Sequence, residues 1–254
     1  MKNAAITPNS IFNECCLSTM SRMADKSIDI VITSPPYNMN LRIRNGKYCS
    51  RQITKEFSTK YEGEFSDNLP IEEFYEFHKK VLSELNRVAK LIFYNISIVT
   101  GSKQAFFRLI GDFSYHIKDV VVWDKVNSQP SMQSGVLNQQ SELLLVMGDN
   151  PISRQFSSAN FERGTLSDVW EIKKERSAAS GHGATFPTAL VRKILSNFSK
   201  EGDLVYDPFA GSGTTCVVAK EIGRNYIGSE LSEKYEQIAK ERLGNAIDKF
   251  IELN

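Results

Sequence analysis

The stretch Asp203-Leu204-Val205-Tyr206-Asp207-Pro208-Phe209-Ala210-Gly211-Ser212-Gly213-Thr214-Thr215 decides how the chain is read. Leu204, Val205 and Tyr206 are apolar and too few for a helix, so they predict a short buried strand. The glycines behind them predict a turn whose backbone can come close to a ligand. Val217, Val218 and Ile222 then predict a helix. Strand, glycine turn and helix together make the half-unit on which α/β proteins hold nucleotides. A further strand, Asn225-Tyr226-Ile227-Gly228, runs into Glu230, a carboxylate placed to accept both hydroxyls of a ribose. A glycine-rich turn without a ligand is the plainer alternative, and Glu230 weighs against it.

What the turn lacks narrows the ligand. No third glycine completes Gly-x-Gly-x-x-Gly, which disfavours a dinucleotide, and no Gly-Lys-Ser/Thr ending is present to cradle ATP phosphates. Asp207 would repel phosphate and pair with a cation. An adenosine carrying a charged amino-acid tail fits these requirements, which describes S-adenosylmethionine.

A second turn lies far upstream. Ile28-Asp29-Ile30-Val31-Ile32 predicts a buried strand, and Thr33-Ser34-Pro35-Pro36-Tyr37-Asn38 ends it, because two prolines remove donors and fix φ. Ligands of open α/β sheets bind at such carboxyl ends. Ser34 offers a hydroxyl, Pro35 a carbonyl and Tyr37 a flat ring with a polar tip, a set able to grip the two hydrogens of a planar amino group. Gripping them would favour a pyramidal nitrogen and aim its lone pair. A proline-terminated strand with a surface tyrosine would look the same.

Composition sets the outer limits. With 254 residues, 41% of them hydrophobic, the chain can build one large α/β domain or two small ones. The net charge of +1 means that any nucleic-acid contact must come from local clusters. No apolar run approaches the ~20 residues that span a bilayer, and the N-terminus lacks the apolar core of a secretory signal, so a cytoplasmic location is expected. Cys15, Cys16, Cys49 and Cys216 show no Cys-x-x-Cys spacing, and neither a metal site nor a disulfide framework is indicated.

Between the two turns the chain alternates. A strand near Ile11–Cys16 and a helical turn carrying Leu17, Met20 and Met23 come first. Helices are predicted at 70–89, 104–110 and from Phe186 through Phe198, and strands at 91–99, 117–123 and 142–147. Residues 41–60 carry Arg42, Arg44, Lys47, Arg51, Lys55 and Lys60 against Glu56 alone, a composition suited to a loop that grips phosphates or to a mobile solvated one. Residues 148–182 are irregular, with Phe156, Phe161 and Trp170 among Arg154, Arg163, Lys173, Lys174 and Arg176. Aromatic and basic residues together lean towards function.

The pair Thr-Ser-Pro-Pro-Tyr at 33–37 and Asp-Pro-Phe-Ala-Gly-Ser-Gly-Thr-Thr at 207–215 resembles the amino-methylating DNA methyltransferases, in the circularly permuted group where the catalytic motif precedes the cofactor motif. The likeness extends over nearly the whole chain, through Trp123-Asp124-Lys125, His182 to Leu190 and Tyr226 to Arg242. It implies a Rossmann-like, S-adenosylmethionine-dependent methyltransferase fold: a mostly parallel seven-stranded sheet with helices on both faces, in one catalytic domain over 1–254. A basic loop at 41–65 and a target-recognition segment at 125–182 would be inserted in it. It further implies that Ser34, Pro35, Pro36 and Tyr37 hold the target base. Asp207, Pro208, Phe209, Gly211, Ser212, Gly213, Thr214, Thr215, Glu230 and Cys15 would bind S-adenosylmethionine, with Phe186 near the methionine end. Arg42, Arg44, Lys47, Arg51 and Lys55 would meet double-stranded DNA.

One departure stands out. Where relatives commonly carry Asp-Cys before a leucine, this chain has Cys15-Cys16-Leu17, so the carboxylate for the cofactor's adenine amine is absent or shifted to Glu14. The expected reaction is direct transfer to an exocyclic amine of a flipped base, cytosine N4 favoured over adenine N6. No cysteine follows a proline, as ring-carbon methylation would need. An RNA or protein methyltransferase and a non-enzymatic DNA-binding protein are the more distant readings. A cognate restriction endonuclease and a homodimer are the partners the resemblance allows.

Overall fold

A computed structural model of the chain describes residues 6–39, 41–44, 47–50, 68–127, 134–149, 153–175 and 186–251. The N-terminal half supplies β1 (Ser10–Asn13), α1 (Cys16–Met20), β2 (Ile28–Thr33), β3 (Leu41–Arg44), β4 (Lys47–Ser50), α2 (Ile71–Val88) and β5 (Ala89–Ile96). Next come α3 (Lys103–Asp112), β6 (Ile117–Asp124), β7 (Ser141–Gly148) and β8 (Val169–Glu171). The C-terminal third holds α4 (Thr188–Phe198), β9 (Leu204–Asp207), α5 (Thr214–Glu221), β10 (Asn225–Glu230) and α6 (Glu233–Ile251).

Eight strands form one sheet in the order β1-β10-β9-β2-β5-β7-β6-β8. Only β7 runs against the others, pairing antiparallel with β5 and β6. The expected count of seven is corrected by β8, whose three residues pair with β6 at Trp123 and Trp170. Three residues are too few for alternation to register in a sequence. Within the expected basic loop at 41–65, β3 and β4 pair antiparallel, with Leu41 opposite Ser50 and Arg44 opposite Lys47, and 51–65 lie outside the described residues. Leu41-Arg42-Ile43-Arg44 alternates as a strand does, and the residues between the strands are Asn45-Gly46, a pair that favours two-residue hairpin turns.

Side chains leave the sheet on alternate faces, and each face has its own core. Ile30, Ile32, Leu91, Phe93, Leu144 and Val146 pack with residues of α4, α5 and α6, among them Leu190, Ile194 and Val218. Val31, Ile92, Tyr94, Leu145 and Met147 pack with α1, α2 and α3, including Met20, Leu85 and Phe106. Helix α2 shows why the sequence settles this way. Phe74, Val81, Leu82, Leu85 and Val88 recur at helical spacing and are buried, while Glu72 and Glu73 in the first turn and Arg87 in the last oppose the helix dipole. Arg87 also donates to the carbonyls of Met20 and Met23, fastening the end of α1 to α2.

Phe156, Phe161 and Trp170, the aromatic residues of 153–175, pack against the core. Phe156 and Phe161 lie against Phe198, with ring centroids 5.1 and 5.3 Å away. Trp170 is fully buried, and its indole donates to the Ser167 carbonyl. Among the described residues no helix is long and apolar enough to cross a membrane.

Candidate active site

Parallel pairing of β1, β10, β9, β2 and β5 brings their carboxyl ends to one edge of the sheet. β7 starts at that edge, and β6 ends there. In spatial order the edge carries Cys15, Glu230, Asp207 with the glycine turn, Ser34 with Tyr37, Asn95, Glu142 and Lys125. The two turns read from the sequence are neighbours, because β9 pairs directly with β2. A hydrogen bond ties them: Thr33 Oγ1 donates to Asp207 Oδ1 at 2.8 Å, both groups being buried. At this point successive strands depart in opposite directions, β9 towards β10 and β2 towards β5, which is where open α/β sheets form their ligand crevice.

The glycine turn is held on several sides. Gly211 and Gly213 have φ of 53° and 78°. A Cβ on Gly213 would stand 2.7 Å from that of Ala239, so glycine also lets α6 close onto the turn. Glu230 Oε2 accepts from the Gly211 N–H at 2.7 Å and Oε1 from the Ser232 N–H at 2.9 Å. Each carboxylate oxygen keeps a lone pair for a further donor such as a ribose hydroxyl. Burial raises the Glu230 carboxyl above its usual range. Burial likewise pushes Asp207 up to about 6, although Thr33, Thr215 and the Phe209 N–H all hydrogen-bond to it.

Other residues of the expected cofactor set face inward. Arg242 donates to the Ser212 carbonyl at 2.5 Å, to Ser212 Oγ at 2.9 Å and to Thr214 Oγ1 at 3.2 Å, so both hydroxyls clamp the turn to α6. Thr215 is buried and reaches the Ile32 carbonyl, joining α5 to β2. Phe209 follows Pro208 in the turn and packs towards α2, its ring 6.2 Å from that of Phe77. Phe186 precedes α4 and meets the Trp123 ring edge-on at 6.1 Å. Cys15, half-buried at the start of α1, sits at the same edge, and the Cys16 thiol beside it lowers its pKa to about 6. Glu14, next to it, accepts at Oε1 from Thr19 at 2.7 Å and from Arg22.

At the second turn, Ser34 and Tyr37 share a hydrogen bond of 2.6 Å. Three residues that sequence reasoning missed complete the site. Asn95 Nδ2 donates to Tyr37 Oη at 2.5 Å and to Glu142 Oε2 at 2.7 Å. Lys125 Nζ pairs with Glu142 Oε1 at 3.2 Å, both residues being buried. Each is a polar residue in or beside an apolar strand, and that interruption was the available signal. Tyr37 is half-buried, its ring set edge-on to Phe106 at 6.2 Å and its phenol anchored below. Asn38 adopts φ 56° and donates to the carbonyls of Leu69 and Gly101, which fixes the turn's exit. Beside it opens a cavity of about 570 Å³ lined by Met39, Thr100, Leu137, Gln139 and Glu142. Pro35 is buried and Pro36 partly exposed.

Arg42, Arg44 and Lys47 stand on the β3–β4 hairpin; Arg51 and Lys55 lie outside the described residues. So do 128–133, 150–152 and 176–182 of the expected recognition segment and His182 to Thr185 before α4.

A doubly wound sheet with a glycine turn, an acidic strand end and a proline-ended polar turn at one crevice is a Rossmann-like arrangement. A family model described as DNA methylase matches residues 28–241, and the chain belongs to that N6/N4 family: it is a DNA amino-methyltransferase. The chain is 29% identical over 252 residues to the type II methyltransferase M.HinfI of Haemophilus influenzae, covering 92% of this chain and 68% of that protein. It is 28% identical over 238 residues to M2.DpnII of Streptococcus pneumoniae, covering 88% and 85%. Among solved structures it resembles the PvuII DNA methyltransferase (cytosine-N4-specific), with a TM-score of 0.69, 17% identity and coverage of 94% and 88%. It also resembles the M1.HpyAVI–SAM complex, with a TM-score of 0.59, 20% identity and coverage of 92% and 98%.

Proposed function

We propose that the chain takes S-adenosylmethionine at the glycine turn and methylates the exocyclic amine of a base flipped from double-stranded DNA, cytosine N4 in preference to adenine N6. The observation that carries this reading is the Thr33–Asp207 hydrogen bond, which joins the amine-gripping turn to the cofactor turn. The cofactor residues fit. Positive-φ glycines open the backbone, Glu230 retains acceptor capacity for a ribose, and the buried Asp207 favours a cationic neighbour. When bound, S-adenosylmethionine supplies an electrophilic methyl on a sulfonium.

The chain's own groups do the rest. Ser34 Oγ and the Pro35 carbonyl accept the amine hydrogens, and the half-buried Tyr37 ring gives the base a surface to lie on. Arg42, Arg44 and Lys47, with Arg51 and Lys55, neutralise DNA phosphates, and 125–182 reads base edges. A hydroxyl at 34, where a carboxylate would go more often with adenine in the resembled group, is the ground for cytosine.

The test is to treat unmethylated plasmid DNA with the protein and S-adenosylmethionine, digest it to nucleosides and weigh them. N4-methylcytosine is expected. N6-methyladenine would move the target base, and neither product would overturn the reading. Ser34→Ala and Tyr37→Ala should both abolish product while leaving S-adenosylmethionine binding by calorimetry largely intact.

A further inference from the structure

Resting on the amine-methylation reading above, we propose that Glu142 is the proton acceptor of the reaction, reached from the target amine through the Ser34 and Tyr37 hydroxyls. The direction of the hydrogen bonds carries this. Lys125 Nζ and Asn95 Nδ2 are donors only, and both point at Glu142, one at each carboxylate oxygen. Asn95 also donates to Tyr37 Oη, so the phenol's own hydrogen is left for Ser34 or Glu142. With the Ser34 hydrogen turned to Tyr37, both Ser34 Oγ lone pairs face the amine and the phenol hydrogen goes to Glu142 Oε2. The bonds thus accommodate one continuous polarity: Ser34 to Tyr37 to Glu142. The last link is 3.5 Å long, as such links often are before substrate arrives. Burial, and after it the Glu142 charge, push the Tyr37 phenol well above its usual range, so it stays a neutral donor.

The step balances. The amine nitrogen forms its bond to the methyl as the carbon–sulfur bond breaks and that electron pair stays on sulfur, turning sulfonium into thioether. The methylated amine then holds one proton too many. It passes to Ser34 Oγ as the Ser34 proton moves to Tyr37 and the Tyr37 proton moves to Glu142. One positive and one negative charge vanish together, and the carboxylic acid afterwards loses its proton to water in the adjoining cavity, which Glu142 lines. A serine hydroxyl at 34 cannot hold an additional proton, whereas a carboxylate there could; Glu142 supplies that capacity one layer below. Glu142 touches no substrate and acts through the two hydroxyls.

The experiment compares wild type, Glu142→Gln, Glu142→Asp and Tyr37→Phe. Single-turnover methyl transfer from tritiated S-adenosylmethionine to unmethylated plasmid DNA is followed from pH 5 to 9, with the donor saturating at every pH so that the Asp207 effect on its affinity does not enter. Charged or titratable groups facing Glu142 are Lys125, Tyr37 and, more distantly, Lys174. We expect the wild-type rate to fall on the acid side. Glu142→Gln and Tyr37→Phe should each slow transfer roughly 10²–10⁴-fold, flatten that acid limb and leave donor affinity by calorimetry unchanged. Their combination should be no slower than either alone. Glu142→Asp should keep the limb at a reduced rate. Tyr37→Phe breaks the chain without leaving a buried charge unpaired, so it remains informative if Glu142→Gln folds poorly.

A second readout needs no turnover. With ¹³C-labelled tyrosine, the Tyr37 Cζ resonance, assigned by its loss in Tyr37→Phe, should show a titration step that vanishes in Glu142→Gln. A Glu142→Gln enzyme within threefold of wild type, one that retains the acid limb, or additive single variants would each overturn the relay. An inactive wild type would instead strike at the methyl-transfer reading itself, which separates the two failures.

Discussion

Asp207 places stability and binding in opposition, and replacing it by asparagine should expose both at once. Its carboxyl is 5% exposed, and burial raises it from 3.8 to about 6 in the free protein. The folded value lies above the unfolded one, so the carboxylate form works against folding. Stability from this group is fullest below about pH 4 and is lost as pH rises through 6. At pH 7 the loss amounts to at most about 3 kcal/mol, since a tenfold change in acid strength between folded and unfolded chain is worth ~1.4 kcal/mol. Asparagine keeps an oxygen for the Thr33 hydroxyl and the Phe209 N–H, so Asp207→Asn should melt higher than wild type at pH 7 and match it below pH 4. Binding should move the other way. A cationic ligand that restores the ordinary carboxyl value gains roughly tenfold in affinity from pH 5 to 7 by linkage. Asp207→Asn should lose that slope and bind about 100-fold more weakly at pH 7. Calorimetric titration of S-adenosylmethionine at several pH values, beside melting curves on the same samples, is the assay. Glu230, also raised by burial, would leave a smaller slope that Glu230→Gln removes. An Asp207→Asn protein with the wild-type pH slope, or one melting lower at pH 7, would refute the reasoning.

Three further outcomes follow from the same geometry. Gly213→Ala combines a left-handed φ of 78° with a contact of 2.7 Å to Ala239, and should lower stability in urea by roughly 2–4 kcal/mol; a loss under 1 kcal/mol would mean that α6 can retreat. Lys125→Met leaves the buried Glu142 carboxylate without its cation and should cost about 3–5 kcal/mol by denaturant unfolding, most of it recovered when Glu142→Gln is added. Replacing Arg42, Arg44 and Lys47 together by alanine should flatten the salt dependence of DNA affinity by about three units of log–log slope, one phosphate for each cation. An unchanged slope would remove these three positions from the interface.

Both turns were legible in the sequence for a physical reason. Prolines after an apolar run and glycines before one are local constraints, and local constraints are written in consecutive residues. Helix α2 was readable over nearly its full length for the same reason, since its buried face repeats at helical spacing. What could not be read depended on pairing. β8 is three residues whose partner lies some fifty positions earlier, and only that pairing makes it a strand. That Phe156 and Phe161 lie against Phe198 could not be read either, because composition does not reveal which face meets the core and which meets solvent. Asn95, Glu142 and Lys125 come from three strands that adjoin only once β7 has turned back between β5 and β6.

That reversal bears on the site as much as on the fold. Had β7 run parallel like its neighbours, its first residues would lie at the amino edge, and Glu142 would sit at the far end of the sheet from Ser34. Running antiparallel, it begins where β5 and β6 end, so Glu142 falls beside Asn95 and Lys125. The crevice at β9 and β2 needs only parallel strands and a change of direction between them, which many sheets provide for many ligands. A buried carboxylate under the serine hydroxyl needs the one strand that breaks the pattern. The cofactor half of this edge therefore follows from the general topology of the sheet, whereas the acceptor half depends on β7.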